Sequence, residues 1–160
     1  MSEEHLKKAA FAAGCFWGVE SAFRDIAGVI NAQVGYMGGN VDDPDYNLVC
    51  TNKTGHAETI EVTYHPKLVS YDDLLEAFWN MHDPTQLNRQ GVDVGTQYRS
   101  AIFYYDEEQR TLATRAKEKL QASGKYKKPV VTEIVLASKF WRAEEYHQRY
   151  NEKHGLSSCR

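Results

Sequence analysis

Strand-length runs alternate with helix-period stripes along this chain, and that succession confines it to a sheet layered with helices. A strand is predicted at Lys7–Ala13 and a helix over about Phe16–Ile26, with Phe16, Val19, Phe23 and Ile26 on one face and Gly28 placed to end it. Strands follow at Val29–Tyr36 and Glu58–Tyr64. Ser70 reads as the N-cap of a helix carrying Leu74, Leu75, Phe78 and Trp79. Next come a strand at Tyr98–Tyr105 and a helix from Asp106 to Gly124 with Glu107 and Glu108 in its first turn. A strand at Val130–Leu136 follows Pro129, and a last helix covers about Ala143–Lys153, with Ala143, Tyr146 and Tyr150 on one stripe. The order β-α-β-β-α-β is embedded in this series, with an added helix and strand. It predicts an α+β fold, a two-layer sandwich of ferredoxin-like type.

Two connections are long, Met37–Ala57 and Asp83–Gln97, and a third irregular stretch runs from Gly155 to Arg160. Loops beyond ~12–15 residues are uncommon in compact domains unless they carry function. If the three meet near the start of the first helix, they enclose a site there. A chain of 160 residues, 42% hydrophobic and 26% charged, fits one globular domain. The expectation is a single catalytic domain over 1–160, with 156–160 a mobile tail.

Net charge is −3 and no basic run is present, so nothing draws the chain to nucleic acid or to an anionic membrane. No apolar stretch approaches the ~20 residues that cross a bilayer. The N-terminal apolar segment, ending at Phe11–Ala13, is too short for a secretion signal, so a cytoplasmic location is expected. No feature argues for a subunit interface, and a monomer is expected. Three cysteines are an odd count and too few for a disulfide scaffold. In a reducing compartment that favours a catalytic or redox thiol.

Cys15 stands at the joint between the first strand and the first helix, in Gly14-Cys15-Phe16-Trp17-Gly18. Unpaired N–H groups in the first turn of that helix would face its sulfur and favour the thiolate. The competing reading, a buried inert cysteine, is the commoner fate of a free thiol in general. In the strand Glu58–Tyr64, alternation puts Glu58 on one face with Ile60, Val62 and Tyr64, while Thr59, Glu61 and Thr63 take the other. A carboxyl on the apolar side should be desolvated and kept protonated, whereas Glu61 reads as an ordinary solvated glutamate.

Gly14–Gly18 resembles the signature of the peptide methionine sulfoxide reductase A family. Three more blocks resemble that family in the expected order: Gly55-His56-Ala57-Glu58, the segment Asn88 to Ser100, and Phe140 to Tyr150 with its Ala143-Glu144-Glu145-Tyr146-His147. The similarity spans about Ala10 to Lys153. It implies reduction of the S epimer of methionine sulfoxide, free or in proteins, back to methionine, and so a role in protein repair.

That chemistry requires a nucleophile, an acid and donors for the sulfoxide oxygen, because an unprotonated oxide is a prohibitively basic leaving group. The resemblance implies Cys15 as nucleophile, Glu58 as acid and Tyr46 and Tyr98 as oxygen donors. Asp93 is implied to orient the network, although on sequence alone it reads equally as a turn residue before Gly95. Val92 stands where the family usually has Asn. Phe16 and Trp17 are implied to form an apolar pocket for the substrate methyl group; Phe16 also shares the core stripe of its helix, and Trp17 lies off it. Attack leaves Cys15 as a sulfenic acid, which a second thiol converts to a disulfide. Cys159 is the expected resolving thiol and Cys50 a structural one, although the sequence leaves open which of the two resolves. No bound cofactor is expected. The resemblance implies recycling by thioredoxin, an external dithiol protein.

Two other classes compete. A cysteine hydrolase or acyltransferase would pair Cys15 with a histidine base, His56 or His147. A peptide-binding module would use the aromatics for a ligand and leave the thiols inert. A metal site has less support: no C-x-x-C or H-E-x-x-H pairing occurs, and His147 and His154, seven apart, share at most a helix face.

Overall fold

The computed structural model describes residues 6–155. In chain order the elements are β1 (Lys7–Ala13), α1 (Phe16–Arg24), β2 (Val29–Met37), α2 (Tyr46–Cys50), β3 (Ala57–Tyr64), α3 (Tyr71–Asn80), β4 (Arg89–Gln90), β5 (Asp93–Val94), β6 (Ser100–Tyr104), α4 (Glu107–Ala122), β7 (Glu133–Leu136), β8 (Trp141–Arg142) and α5 (Tyr150–Lys153). Single 3-10 turns lie at Thr96–Tyr98 and Glu145–His147.

β1 runs through the middle of the main sheet. Its Ala9-Ala10-Phe11-Ala12-Ala13 run is buried on both faces, and small side chains let both layers approach. It pairs antiparallel with β3 on one side and β6 on the other. The sheet order is β7-β6-β1-β3-β2-β8, and the sheet is mixed, since β7 joins β6 in parallel. The fold is therefore α+β. One sheet face, with Phe11, Ile60 and Ile102, packs against Phe16, Val19 and Phe23 of α1 and Leu74, Leu75 and Phe78 of α3. Phe11 ties both helices to the sheet, its ring stacked 5.1 Å from Phe23 and 5.3 Å from Phe78. The other face buries Ala10, Ala12, Ala101 and Phe103 beneath Ala137 and Phe140.

Local signals place most boundaries. Ser70 caps α3 in a reciprocal capping box with Asp73, and Asp106 caps α4 by accepting from the Gln109 amide at 2.8 Å. α1 stops at Arg24, short of the predicted Ile26, because the Ile26 amide bonds only three residues back, to Phe23 O at 3.1 Å, and the turn tightens. Both long connections contain elements of their own. α2 forms in the first, capped by Asp45, and the β4–β5 hairpin forms in the second.

The C-terminal segment corrects the predicted helix over Ala143–Lys153. Just before it Trp141–Arg142 forms a strand on the edge of β2, and in place of one helix the chain then makes a 3-10 turn, a left-handed residue at Arg149 and the short α5. Tertiary hydrogen bonds override helix propensity here. The Gln148 side chain accepts from Val34 N at 3.0 Å and donates to Val34 O at 2.9 Å, continuing the pairing of β2 beyond β8. The Arg149 amide donates to buried Glu20 of α1 at 2.7 Å, which holds the left-handed turn. Tyr146 is consequently 56% exposed and leaves the stripe that periodicity assigned to it.

Candidate active site

The site is built where β1 hands over to α1. Gly14 has φ +99°, which lets the chain turn sharply from strand to helix, and a Cβ there would lie 3.0 Å from the Gln90 side chain. Cys15 follows as the N-cap of α1, partly exposed. Its sulfur therefore lies at the amide-rich end of a nine-residue helix.

Glu58 reaches the same helix end from β3. It is 1% exposed, on the helix-covered face with Ile60, Val62 and Tyr64, as strand alternation predicts. Its Oε1 accepts a hydrogen bond from the Phe16 amide at 3.1 Å, so the carboxyl sits one peptide unit from the thiol residue. Glu61 on the opposite face is not the solvated glutamate expected. Its side chain is only 11% exposed, accepts from the Tyr105 hydroxyl at 2.8 Å and pairs with Lys8 at 3.7 Å.

Tyr46 opens α2 and Tyr98 closes the 3-10 turn before β6, so both long connections deliver a phenol to this corner. Tyr98 is pushed up to about 12 by burial first, then by the charges of Glu58, Cys50, Asp93 and Cys15. Tyr46 is raised by burial first, then by its hydrogen bond to Cys50 and by Glu58. Both phenols keep their protons at neutral pH and can donate. The same interactions bring Asp93 and Cys50 to the site. Asp93 pairs across the hairpin with Gln90, which adjoins Gly14, and Val92 beside it is 93% exposed at the hairpin tip. Cys50 is an exposed residue whose thiol is raised by partial desolvation, against the lowering by its Tyr46 hydrogen bond. Cys159 lies outside the described residues.

Phe16 is buried between Tyr36 and His147, with ring centroids 5.8 Å and 5.2 Å away. Trp17 is partly exposed and stacks on Tyr150 at 3.7 Å. Two further side chains complete the corner: Glu144, which the sequence did not single out as a site residue, and His147, which it offered only as a hydrolase base or a metal ligand. Glu144 accepts from the Tyr36 hydroxyl at 2.9 Å and from the Tyr46 amide at 2.9 Å, so one carboxylate both anchors the C-terminal segment and fixes the start of α2. His147 accepts the Trp17 indole N–H at 2.9 Å. The Glu144-Glu145-Tyr146-His147 block was visible as a motif, but a regular helix there hid what each side chain touches.

Neither histidine offered as a hydrolase base serves Cys15. The Gly39 amide donates to His56 Nδ1 at 3.0 Å and His56 Nε2 lies 2.7 Å from Val41 O, so this ring staples the first long loop. His147 Nδ1 is occupied by Trp17. Among the described residues no cluster of three or more His, Cys, Asp or Glu side chains could hold a metal, and no helix is long and apolar enough to cross a membrane.

A family model described as peptide methionine sulfoxide reductase matches residues 7–160. The chain is 56% identical over 158 residues to the peptide methionine sulfoxide reductase MsrA of Methanoculleus marisnigri, covering 99% of this chain and 96% of that protein. Among solved structures it is similar to reduced Mxr1 from Saccharomyces cerevisiae, with TM-score 0.89 and 35% identity over 95% of this chain and 87% of that one. It is also similar to Mxr1 in complex with Trx2, with TM-score 0.65 and 26% identity over 92% of this chain and 86% of that one.

Proposed function

Because the chain belongs to the peptide methionine sulfoxide reductase family, we propose that this corner reduces the S epimer of methionine sulfoxide, with Cys15 as nucleophile and Glu58 as acid. The observation that carries the reading is the bond from the Phe16 amide to Glu58 Oε1, which holds a buried carboxyl beside the thiol at a helix N-terminus. The helix end favours the Cys15 thiolate. Burial favours the neutral form of Glu58.

The thiolate attacks the sulfoxide sulfur while Glu58 gives its proton to the oxygen, with Tyr46 and Tyr98 donating hydrogen bonds to that oxygen. The sulfur–oxygen bond of the substrate breaks and the hydroxyl passes to Cys15. Methionine leaves, two electrons reduced, and Cys15 remains as a sulfenic acid. A second thiol, Cys159, displaces that hydroxyl as water and leaves a disulfide with Cys15; Cys50 has a structural role. An external dithiol protein of thioredoxin type then restores both thiols, in keeping with the Trx2 complex of the yeast relative. Asp93 orients the active-site network, and Phe16 and Trp17 receive the methyl group. A cytoplasmic setting, where thiols stay reduced, suits this cycle.

The test is reduction of free and peptide methionine sulfoxide with dithiothreitol by wild type and Cys15→Ser. Wild type should turn over and Cys15→Ser should not; turnover retained in the variant overturns the reading.

A further inference from the structure

Asn52 and Thr96 join the two long connections that deliver Tyr46 and Tyr98. α2, with Tyr46 at its start, ends at Cys50, and Thr51 closes it by donating its amide to Leu48 O and Val49 O. Asn52 follows with φ +66° and its own amide on Val49 O at 3.1 Å, so it takes the left-handed position that ends a helix. Glycine and asparagine are at ease in that conformation. Of the two, only asparagine also brings a side-chain acceptor.

That acceptor caps an element 44 positions away. The 3-10 turn Thr96–Tyr98 begins after Gly95, which has no side chain to receive the first N–H of the turn. Asn52 Oδ1 takes its place: the Thr96 amide donates to it at 2.7 Å, and the Thr96 hydroxyl donates to the same oxygen. From the other side the Arg99 guanidinium holds the Thr96 carbonyl at 3.0 Å. α2 is fixed without the Asn52 side chain, since Asp45 accepts from the Leu48 amide at 2.8 Å and Glu144 from the Tyr46 amide at 2.9 Å. The bridge therefore ties the turn bearing Tyr98 to a frame already set. Tyr98 closes that single turn, so a shift at Thr96 carries its phenol along.

From this geometry we infer that Asn52 is a positioning residue for the reduction: by accepting from the Thr96 amide and hydroxyl it sets the place of the Tyr98 phenol relative to that of Tyr46. The inference rests on the reductase reading above. Asn52 touches neither the sulfoxide nor the thiol in this role. Its effect falls where charge develops on the sulfoxide oxygen, so it belongs to the chemical step and not to substrate binding.

The experiment follows a single turnover of methionine sulfoxide on pre-reduced protein, without added reductant, and separates the limiting rate from the half-saturating concentration. The proteins are wild type, Asn52→Gly and Asn52→Asp, each also in a Tyr98→Phe background. Glycine keeps the left-handed backbone and removes the acceptor; aspartate keeps both. Asn52→Gly should lower the limiting rate roughly fivefold, the scale of one net hydrogen bond, at an unchanged half-saturating concentration. Asn52→Asp should recover the rate. In the Tyr98→Phe background the glycine substitution should have no further effect, because the hydroxyl it acts through is gone. An unchanged limiting rate in Asn52→Gly, equal slowing in Asn52→Asp, or a loss that persists without the Tyr98 hydroxyl overturns the inference. Should Asn52→Gly fail to fold, amide hydrogen exchange of wild type decides instead. The Thr96 amide should be protected, and exchange at the rate of an open amide overturns the inference. Wild type that forms no methionine fails the reductase reading and this inference with it, whereas wild-type turnover with an indifferent Asn52→Gly fails only the inference.

Discussion

At Glu58 two opposed influences meet, burial that disfavours a carboxylate and an amide donor from Phe16 that favours one. Glu58→Gln keeps an acceptor for the Phe16 amide but has no acidic proton. Steady-state reduction should therefore fall by about 10²–10⁴-fold, while iodoacetamide still alkylates Cys15. An assay of kcat/KM within tenfold of wild type would remove Glu58 from the acid's role. The inward side of Glu58 was legible from alternation alone, because one face of β3 is apolar. The surroundings of Glu61 were not, since Tyr105 reaches it from 44 positions away.

Among the elements, the segment from Ala143 to Arg149 departs furthest from its local preference. Periodicity favours a helix, but the edge of β2 offers unpaired groups at Val34 that Gln148 and the Ala143 amide satisfy. Gln148→Leu should leave Val34 N and the Ala143 carbonyl short of partners, costing about 1–3 kcal/mol per buried group left unpaired. Urea unfolding measures this, and a change below about 0.5 kcal/mol, the usual range of surface substitutions, would show that the side-chain pairing adds nothing. By contrast the start of α3 and both ends of α4 were legible to within a residue or two, because Ser70, Asp106 and Gly124 signal them within the chain.

Across the whole molecule, His82 joins α3 to the sheet. Its Nδ1–H donates to Phe78 O at 2.8 Å, and Nε2 accepts from the Ser100 hydroxyl at 2.7 Å, which meets Thr132 at 2.7 Å. Burial, the leading influence, lowers His82 from 6.5 to about 4, while Phe78 and Asp83 pull the other way. The unfolded chain therefore binds a proton that the folded one refuses between these values. Stability is full above pH 6.5 and falls as pH drops toward 4, with a slope of at most about 1.4 kcal/mol per pH unit. Denaturant titrations between pH 7 and 5 should show this fall, and His82→Gln should flatten it. An equal slope in both proteins would assign the pH dependence to other groups.

The amino-acid sequence alone determined the succession of strands and helices, the thiol at a strand-to-helix joint, the buried side of Glu58 and the family, because each depends on neighbours within a few residues or on contiguous motifs. Tertiary structure decided which distant side chains complete the site. Glu144 meets Tyr46 across 98 positions and His147 meets Trp17 across 130. Hydrogen bonds over such separations depend on how the layers pack, and no local period or propensity encodes them.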